Sequence, residues 1–285
     1  MVRIQDSQSW HRGSIPLSTT IKSLDITQTL FHIIEFNMEN GIFSRTKLLL
    51  GEDAINKLQN SHIAVFGIGG VGGYSVEVLA RSGVGHIDLY DSDKICASNL
   101  NRQIYALQST IGKYKVDVAE ERILDINPDC NVIKNKVFYL PENADKFDLK
   151  QYDYVLDCID TITAKIELVK RCYTQNIPII SSMGAANKMD PTAFYITDIF
   201  KTKMDPIAKI MRKKLREIGV KKLTVVCSDE MPQKKQPTKY ITDNNPTLST
   251  TTNQRRTIQA SNAFVPAAAG IIIGGEVVKN IISKI

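Results

Sequence analysis

Short apolar runs alternate with segments of helical spacing over much of the chain. The first run, Ile63 to Phe66, leads into a glycine-rich turn and a helix-like segment, and the second, Ile87 to Tyr90, ends at Asp91. Two later runs, Tyr154 to Ile159 and Pro178 to Ser181, are likewise separated by a segment of helical spacing. Strands that alternate with helices form parallel crossovers. The pattern therefore predicts an α/β fold with a doubly wound, Rossmann-like, mainly parallel sheet.

The turn after the first run is rich in glycine and reads Gly67-Ile68-Gly69-Gly70-Val71-Gly72-Gly73. In such a turn one glycine permits the sharp bend, another lets the backbone approach phosphate, and a third lets the helix pack on the strand. Asp91, at the end of the second strand, can accept hydrogen bonds from ribose hydroxyls. The glycines alone would indicate only a tight turn, but with the flanking strands and Asp91 they favour a nucleotide site. Its candidate backbone ligands are Gly67, Gly69, Gly70 and Gly72.

Several charged residues follow the predicted strands, where ligands of doubly wound sheets bind. The chain has no Gly-x-x-x-x-Gly-Lys-Ser/Thr loop, so an ATP-type ligand would need separate cations, and Arg102 and Lys115 are the candidates. Each of them alone would be read as a surface cation. Asp160 could hold Mg²⁺ opposite them, because the metal bridges phosphates and offsets their charge. A polar connection containing Asp93, Asn99 and Gln103 also offers side chains that can reach a ligand.

The longest uncharged apolar stretch, Ala263 to Gly275, is broken by Pro266 and closed by Glu276. It is shorter than the roughly 18 residues that a membrane span needs. We therefore expect no membrane span but a buried helix, whose small residues allow close packing against the sheet or a second subunit.

The overall composition is ordinary for a soluble globular protein, with 43% hydrophobic and 23% charged residues. The five cysteines include no Cys-x-x-Cys pair, and the N-terminal stretch lacks the apolar core of a signal peptide. These observations predict a cytoplasmic protein.

The excess positive charge lies in the segment from Lys201 to Lys239. Its twelve basic and four acidic residues give +8, whereas the whole chain carries +6. A helix is predicted to begin there with Asp205 as N-cap and Pro206 in the first turn. Its apolar face is predicted to contain Ile207, Ile210, Met211, Leu215 and Ile218, while Lys209, Arg212, Lys213 and Arg216 largely face outward. A solvated helix face is the simpler interpretation, but the clustering favours a polyanion partner. The predicted fold thus has a C-terminal basic helix and a crossover extension.

Residues 1–37 differ from the rest of the chain, because Ser, Thr, Gln and His are plentiful and periodicity is poor. They are predicted to be a disordered tail or an over-extended start. Residues 38–285 are predicted to form a single domain, with the basic segment at about 201–239.

Five motifs stand in an order that resembles adenylating enzymes of the ThiF/MoeB type, which are related to ubiquitin-activating proteins and to the activators of sulfur carriers. They are the Gly67 turn, Asp91-Ser92-Asp93, Ser98-Asn99-Leu100-Asn101-Arg102-Gln103, Gly112-Lys113-Tyr114-Lys115 and Asp157-Cys158-Ile159-Asp160. The resemblance implies ATP and Mg²⁺, with Asp91 on the ribose, Arg102 and Lys115 on the phosphates, and Asp160 on the metal. Arg45 matches an arginine that reaches into the partner subunit's site, which implies a homodimer.

Within this superfamily the chain resembles the tRNA threonylcarbamoyladenosine dehydratases. The matching stretches are Ser44-Arg45-Thr46, Asp190-Pro191-Thr192, Thr197-Asp198-Ile199 and Thr202-Lys203-Met204-Asp205-Pro206. That family cyclises the threonylcarbamoyl group on the adenosine beside the anticodon, so modified tRNA is the implied substrate. Arg45, Arg102, Lys115 and Asp160 are the implied catalytic residues. The resemblance leaves open a monovalent cation, Na⁺ or K⁺, and a sulfur-relay protein as partner.

Some family members have a cysteine just before the last helix. Here Ala260-Ser261-Asn262-Ala263 stands in that place, so no catalytic thiol is assigned.

Three alternatives stay open at this point. An activator of a sulfur-carrier or ubiquitin-like protein would adenylate that protein's C-terminal carboxylate and would usually have Cys-x-x-Cys zinc ligands. A dinucleotide-dependent oxidoreductase would use the same glycine turn, but His11, His32, His62 and His86 all lie in the tail or just before strands, away from the carboxyl edge. A non-enzymatic nucleotide-sensing or nucleic-acid-binding module would have no use for Asp160.

Overall fold

The computed structural model describes residues 41–234 and 259–283. The chain divides into two units, residues 1–44 and residues 45–285. The predictions for residues 1–37 and for a domain start at Met38 lie outside the described residues, as does the end of the basic segment from residue 235 to 239.

Helices and strands alternate through most of the described residues. The helices are α1 (Ser44–Leu50), α2 (Glu52–Gln59), α3 (Gly72–Arg81), α4 (Lys115–Ile126), α5 (Ile162–Thr174), α6 (Pro206–Glu217) and α7 (Val265–Ile282). The strands are β1 (His62–Phe66), β2 (His86–Tyr90), β3 (Asn131–Asn135), β4 (Tyr154–Asp157), β5 (Ile179–Ser182), β6 (Phe194–Asp198) and β7 (Thr224–Ser228).

The seven strands form one sheet in the order β3-β2-β1-β4-β5-β7-β6. All neighbouring pairs are parallel except β6 and β7, which are antiparallel. The strand order reverses between β1 and β4, which is where ligands bind in doubly wound sheets. The predicted α/β fold with a mainly parallel sheet is confirmed.

Both faces of the sheet are covered by helices. Ile63 and Val65 of β1 belong to a core shared with α3, α4 and α7, whereas Ala64 and Phe66 belong to a second core shared with α5. Because successive side chains of a strand point to opposite faces, this alternation places helices on both sides of the sheet. The sheet is therefore doubly wound, as predicted.

Three element boundaries differ from the expected ones. β4 ends at Asp157 rather than Ile159, because the Asp157 carboxylate accepts a hydrogen bond from Ile159 N at 3.2 Å and turns the chain. α3 begins at Gly72, inside the expected glycine turn, because Gly73 N already donates a hydrogen bond to Gly69 O at 3.0 Å. α7 continues past Glu276, whose carboxylate pairs with Lys279 at 2.8 Å on the outer side of the helix.

Helix α7 packs closely on α3. A Cβ atom at Gly270 would lie 2.4 Å from Val71 O and 2.7 Å from Tyr74 Cβ, and one at Gly274 would lie 2.9 Å from Val78 Cβ. The predicted close packing of small residues is therefore found against a helix of the same chain.

By length and composition alone α7 would be long and apolar enough to cross a membrane, but half of it is buried in the fold. Its nine buried residues give it the position of a core helix.

We expect Gly270→Ala to destabilise the fold by about 1 to 3 kcal/mol, because the added methyl group would overpack the contact with Val71 and Tyr74. The matched control is Gly275→Ala in the same helix, where an added Cβ would meet nothing within 4 Å. That change should leave stability unchanged or raise it by up to about 1 kcal/mol through helix propensity. Urea unfolding of both variants measures the difference, and equal stability would contradict this packing.

Candidate functional site

The glycine turn connects β1 to α3 at the carboxyl edge of the sheet. Gly67 has φ +90°, and a Cβ there would lie 2.7 Å from Cys158 O, so a larger residue is excluded both by conformation and by space. A Cβ at Gly72 would lie 1.8 Å from Gly67 O. The first turn of α3 has no side-chain cap. Its backbone N–H groups and the helix dipole therefore favour an anion at this end.

The Asp91 carboxylate, at the end of β2, accepts hydrogen bonds from two parts of this edge. Its Oδ2 accepts from Ile68 N in the glycine turn at 2.8 Å, and its Oδ1 accepts from Asp93 N at 2.8 Å. Lys115 Nζ lies 3.5 Å from Asp91 Oδ2 and 2.7 Å from Asp93 Oδ2. The structure thus brings together the predicted residues of the glycine turn, Asp91, Asp93 and Lys115.

Burial and neighbouring charges shift the pKa values of Asp91 and Lys115 in opposite directions. Burial raises the pKa of Asp91 above its usual range, although nearby Lys115 lowers it in part. Burial also lowers the pKa of Lys115, but the attraction of Asp91 and Asp93 outweighs it, so that the pKa is raised overall. Lys115 therefore keeps its positive charge at neutral pH, as a phosphate ligand requires.

The polar connection after β2 forms a compact loop beside the glycine turn. Arg102 Nη1 donates to Ser98 O and to Asn101 Oδ1, both at 2.9 Å. A Cβ at Gly70 would lie 3.5 Å from Arg102 Cγ, and one at Gly69 would lie 3.9 Å from Gln103 Nε2. Arg102 and Gln103 therefore lie against the turn.

Asn99 differs from Arg102 and Gln103 because its side chain is buried in the loop. Its Oδ1 accepts from Cys96 N at 3.2 Å. This contact supports the loop, and the Asn99 amide nitrogen is the donor that could meet a ligand.

Asp160 lies on the loop after β4, at the same edge of the sheet. It is exposed, and its Oδ1 accepts from Thr161 Oγ1 at 3.2 Å. In the described residues no group of three or more His, Cys, Asp or Glu side chains forms a metal cage. A single carboxylate nevertheless fits Mg²⁺, which commonly takes one or two protein carboxylates together with substrate phosphates and waters.

The loop bearing Asp160 is held by a buried ion pair. Lys165 Nζ of α5 lies 3.0 Å from Asp157 Oδ2, and the two side chains are 1% and 0% exposed. Ser181 Oγ of β5 donates to the same carboxylate oxygen at 2.5 Å, and Lys165 Nζ also donates to Ile159 O at 3.0 Å.

Cys158 lies against the glycine turn, where it is partly buried and its Sγ is 3.9 Å from Ser75 Oγ. Burial raises its pKa to about 12, so it is protonated and a poor nucleophile at neutral pH.

The basic helix α6 is fixed to the carboxyl edge by its N-cap. Asp205 Oδ1 accepts from Ala208 N at 2.9 Å, which confirms the cap predicted from Asp205-Pro206. Asp205 Oδ2 accepts from Gly184 N at 3.0 Å and pairs with Lys188 Nζ at 3.2 Å, with Lys188 and Asp205 each 1% exposed.

The predicted faces of α6 are partly wrong. The buried residues are Ala208, Met211 and Leu215, whereas Ile210 is 46% exposed and Ile218 is 41% exposed. The helix rests on the core only along this narrow line, so Ile210, about 100° around the helix from Met211, faces solvent.

The two arginines of α6 are also engaged with their own chain rather than free at the surface. Arg212 donates to Thr202 O at 2.9 Å and to Thr202 Oγ1. The Arg216 guanidinium lies 5.2 Å from the centre of the Phe200 ring. Lys209 and Lys213 are exposed, and the described residues include no ion-pair partner for them.

Arg45 lies on α1 and is exposed, and no salt bridge is found for it within the described part of the chain. The two following leucines, Leu48 and Leu49, are 88% and 82% exposed.

Two buried lysines of this edge, Lys165 and Lys188, were not predicted from the sequence. Lys165 comes five residues after Asp160 on a helix, where a lysine usually indicates a solvated face. The sequence does place an aspartate at the end of an apolar run, Asp157, and another at the start of a helix, Asp205. Only the structure shows that each of them pairs with one of these lysines.

Comparison with known proteins gives consistent matches over this region. The "ThiF family" model matches residues 43–284. The tRNA threonylcarbamoyladenosine dehydratase of Bacillus subtilis is 48% identical over 246 residues, which are 85% of this chain and 95% of that protein. The crystal structure of the E. coli tRNA N6-threonylcarbamoyladenosine dehydratase in complex with ATP matches with a TM-score of 0.73 and 32% identity, covering 85% of this chain and 94% of that one.

The expected resemblance to adenylating enzymes is confirmed by these matches. The family model covers most of the chain, and the Bacillus subtilis relative is matched over nearly its whole length. The chain belongs to the ThiF family.

Proposed function

We propose that this protein is an ATP-dependent tRNA threonylcarbamoyladenosine dehydratase. The observation that carries the proposal is the hydrogen-bonded group at the carboxyl edge, in which Asp91 joins the glycine turn to Lys115. It combines a ribose acceptor, a phosphate-binding helix end and a buried cation in one place. The 48% identity to the Bacillus subtilis dehydratase supports this substrate over the carboxylate of a sulfur-carrier or ubiquitin-like protein.

ATP binds at this edge with its phosphates on the N-terminus of α3. Asp91 accepts the ribose hydroxyls, and Arg102 and Lys115 contact the phosphates. Because Lys115 Nζ is held by Asp91 and Asp93, it is placed between ribose and phosphates before ATP arrives. Asn99 and Gln103 complete the polar lining of the site.

The reaction activates the threonine carboxylate of the modified nucleoside. A carboxylate oxygen attacks the α-phosphorus, and the bond to pyrophosphate breaks as the acyl-adenylate forms. The neighbouring carbamoyl group then attacks the activated carbon and releases a proton to solvent, while AMP leaves with the former carboxylate oxygen. The nucleoside thereby loses the elements of water. Both reacting groups lie on one nucleotide, so ring closure gains from proximity and needs no protein nucleophile.

Asp160 is the proposed ligand of Mg²⁺, which would neutralise charge on the phosphates. Its exposed carboxylate can turn toward ATP without disturbing the core. Arg102 and Lys115 stabilise negative charge that shifts toward the leaving pyrophosphate. A monovalent cation stays a prediction from the family resemblance alone.

The proposed assembly is a cytoplasmic homodimer in which Arg45 acts on the partner's site. The exposed pair Leu48 and Leu49 on the same helix supports a partner surface here, because large apolar side chains seldom cluster at solvent without one. A sulfur-relay protein remains a predicted partner.

The direct test is to incubate the full chain with ATP and with tRNA that carries threonylcarbamoyladenosine. We expect loss of water from the nucleoside together with AMP and pyrophosphate. ATP cleavage that requires a small carrier protein, with the nucleoside unchanged, would instead favour the alternative activator function.

Asp160→Ala should reduce ATP cleavage by at least about a hundredfold, the usual cost of removing a group that stabilises transition-state charge. Stability should change by less than about 0.5 kcal/mol, because the side chain is exposed. Asp129→Ala, an exposed aspartate before β3 at the opposite edge, is the control and should keep full activity. Full turnover by the Asp160 variant would remove this residue from the site.

If Arg45 acts in trans, the Arg45→Ala and Asp160→Ala homodimers should each be inactive. After subunit exchange an equal mixture should regain up to about a quarter of wild-type activity, since half of the dimers are mixed and each contains one intact site. The activity of mixtures with verified exchange is the measurement. No recovery would mean that Arg45 acts in its own chain or not at all.

The basic helix should contact tRNA phosphates through its exposed lysines. Lys209→Gln with Lys213→Gln should weaken tRNA binding and lower the slope of log affinity against log salt by about 1.4 to 1.8, or roughly 0.7 to 0.9 for each lost contact. ATP affinity should stay unchanged. Lys146→Gln with Lys150→Gln removes the same charge from exposed positions between β3 and β4 and should leave the slope unaltered. If the Lys209 and Lys213 variant keeps the wild-type salt slope, as the control variant should, tRNA docks elsewhere.

A further inference from the structure

Lys165 is an almost fully buried cation directly beneath the loop that carries Asp160. Its single Nζ atom makes two contacts, to Asp157 Oδ2 at 3.0 Å and to Ile159 O at 3.0 Å. The other carboxylate oxygen of Asp157 accepts from Ile159 N at 3.2 Å. Both polar groups of the Ile159 backbone are therefore fixed, one residue before Asp160.

Stability alone does not account for this arrangement. Removing two charges from water costs several kcal/mol for each ion, and well-packed apolar residues of similar size are often as stable or more stable. The pair is 1% and 0% exposed, so solvent does not lower this cost. A role in setting the conformation of the loop explains why the charges lie there.

The same loop also lies next to the glycine turn. Cys158 O lies where a Cβ at Gly67 would meet it at 2.7 Å, and Cys158 N donates to Phe66 O at 2.8 Å. The backbone from Asp157 to Ile159 thus lies between the phosphate-binding turn on one side and Asp160 on the other. A shift of this backbone would change the distance between Asp160 and bound phosphates.

We propose that Lys165 is a positioning residue that holds the Ile159 backbone, through its bonds to Asp157 and Ile159 O, so that Asp160 faces the metal bound to ATP. This inference rests on the proposed function, in which Asp160 is the magnesium ligand. Residues that orient a metal ligand typically change metal affinity or activity by about 10- to 100-fold when they are replaced.

The test measures ATP affinity of the full chain without tRNA, once with Mg²⁺ and once with chelator. Replacing Lys165 alone would leave Asp157 as an unpaired buried carboxylate, so the variant is Lys165→Met with Asp157→Asn. We expect the gain in ATP affinity on adding Mg²⁺ to fall about 10- to 100-fold. The affinity without Mg²⁺ should stay within about twofold of wild type, because Asp91, Arg102 and Lys115 are unaltered. A merely structural role would lower both affinities together or neither.

Thermal melting establishes that the double variant is folded at the assay temperature. If it is not, Lys165→Arg takes its place, because its planar guanidinium keeps the charge but cannot reproduce the two contacts of one Nζ atom. The same loss of the magnesium-dependent gain is expected for it.

Asp160→Ala separates the two possible failures. If Asp160→Ala loses the gain and the folded Lys165 variant keeps it, the positioning role is overturned and the proposed metal ligand stands. If Asp160→Ala itself keeps the gain, the metal assignment is overturned and the role of Lys165 falls with it.

Discussion

The carboxylate of Asp91 is the contact on which the arrangement of the site depends. It accepts hydrogen bonds from Ile68 N and Asp93 N and lies 3.5 Å from Lys115 Nζ. Ile68 belongs to the glycine turn and Lys115 is the first residue of α4, so one buried charge fixes two elements that follow different strands. Because burial disfavours the carboxylate, it needs all of these donors. The site is therefore largely formed in the protein before any nucleotide is bound.

The parts of the site that are local in the chain could be predicted from the sequence. The strand, glycine turn and helix around Gly67 are contiguous in the chain. Helix α4, from Lys115 to Ile126, is likewise defined locally, because an apolar face runs along it and Asn127-Pro128 follows as a stop. The buried lysines could not be predicted in this way. Asp157, the partner of Lys165, accepts a hydrogen bond from Ser181 only when β4 and β5 pair, so the burial of this ion pair depends on contacts between strands that are separate in sequence.

Helix α6 shows why counting charges overstates a binding surface. Arg212 and Arg216 add to the net charge of the segment, yet one is bonded to Thr202 and the other stacks on Phe200. A guanidinium can serve as a packing group as well as a charge, whereas the ammonium groups of Lys209 and Lys213 are compact, strongly hydrated charges on exposed residues. The count locates the basic segment, but the contacts decide which of its residues can meet a phosphate.

The close packing of α7 on α3 has a consequence for how the protein is made. α7 follows all seven strands in the chain, yet Gly270 and Gly274 lie against Val71, Tyr74 and Val78 near its beginning. During synthesis the face of α3 that packs against α7 therefore stays uncovered until all seven strands and α7 have been translated. Contacts between such distant segments form slowly because the intervening chain must first be ordered. Until α7 docks, its apolar face and the matching face of α3 are both exposed, and exposed apolar surface of this kind favours aggregation during folding.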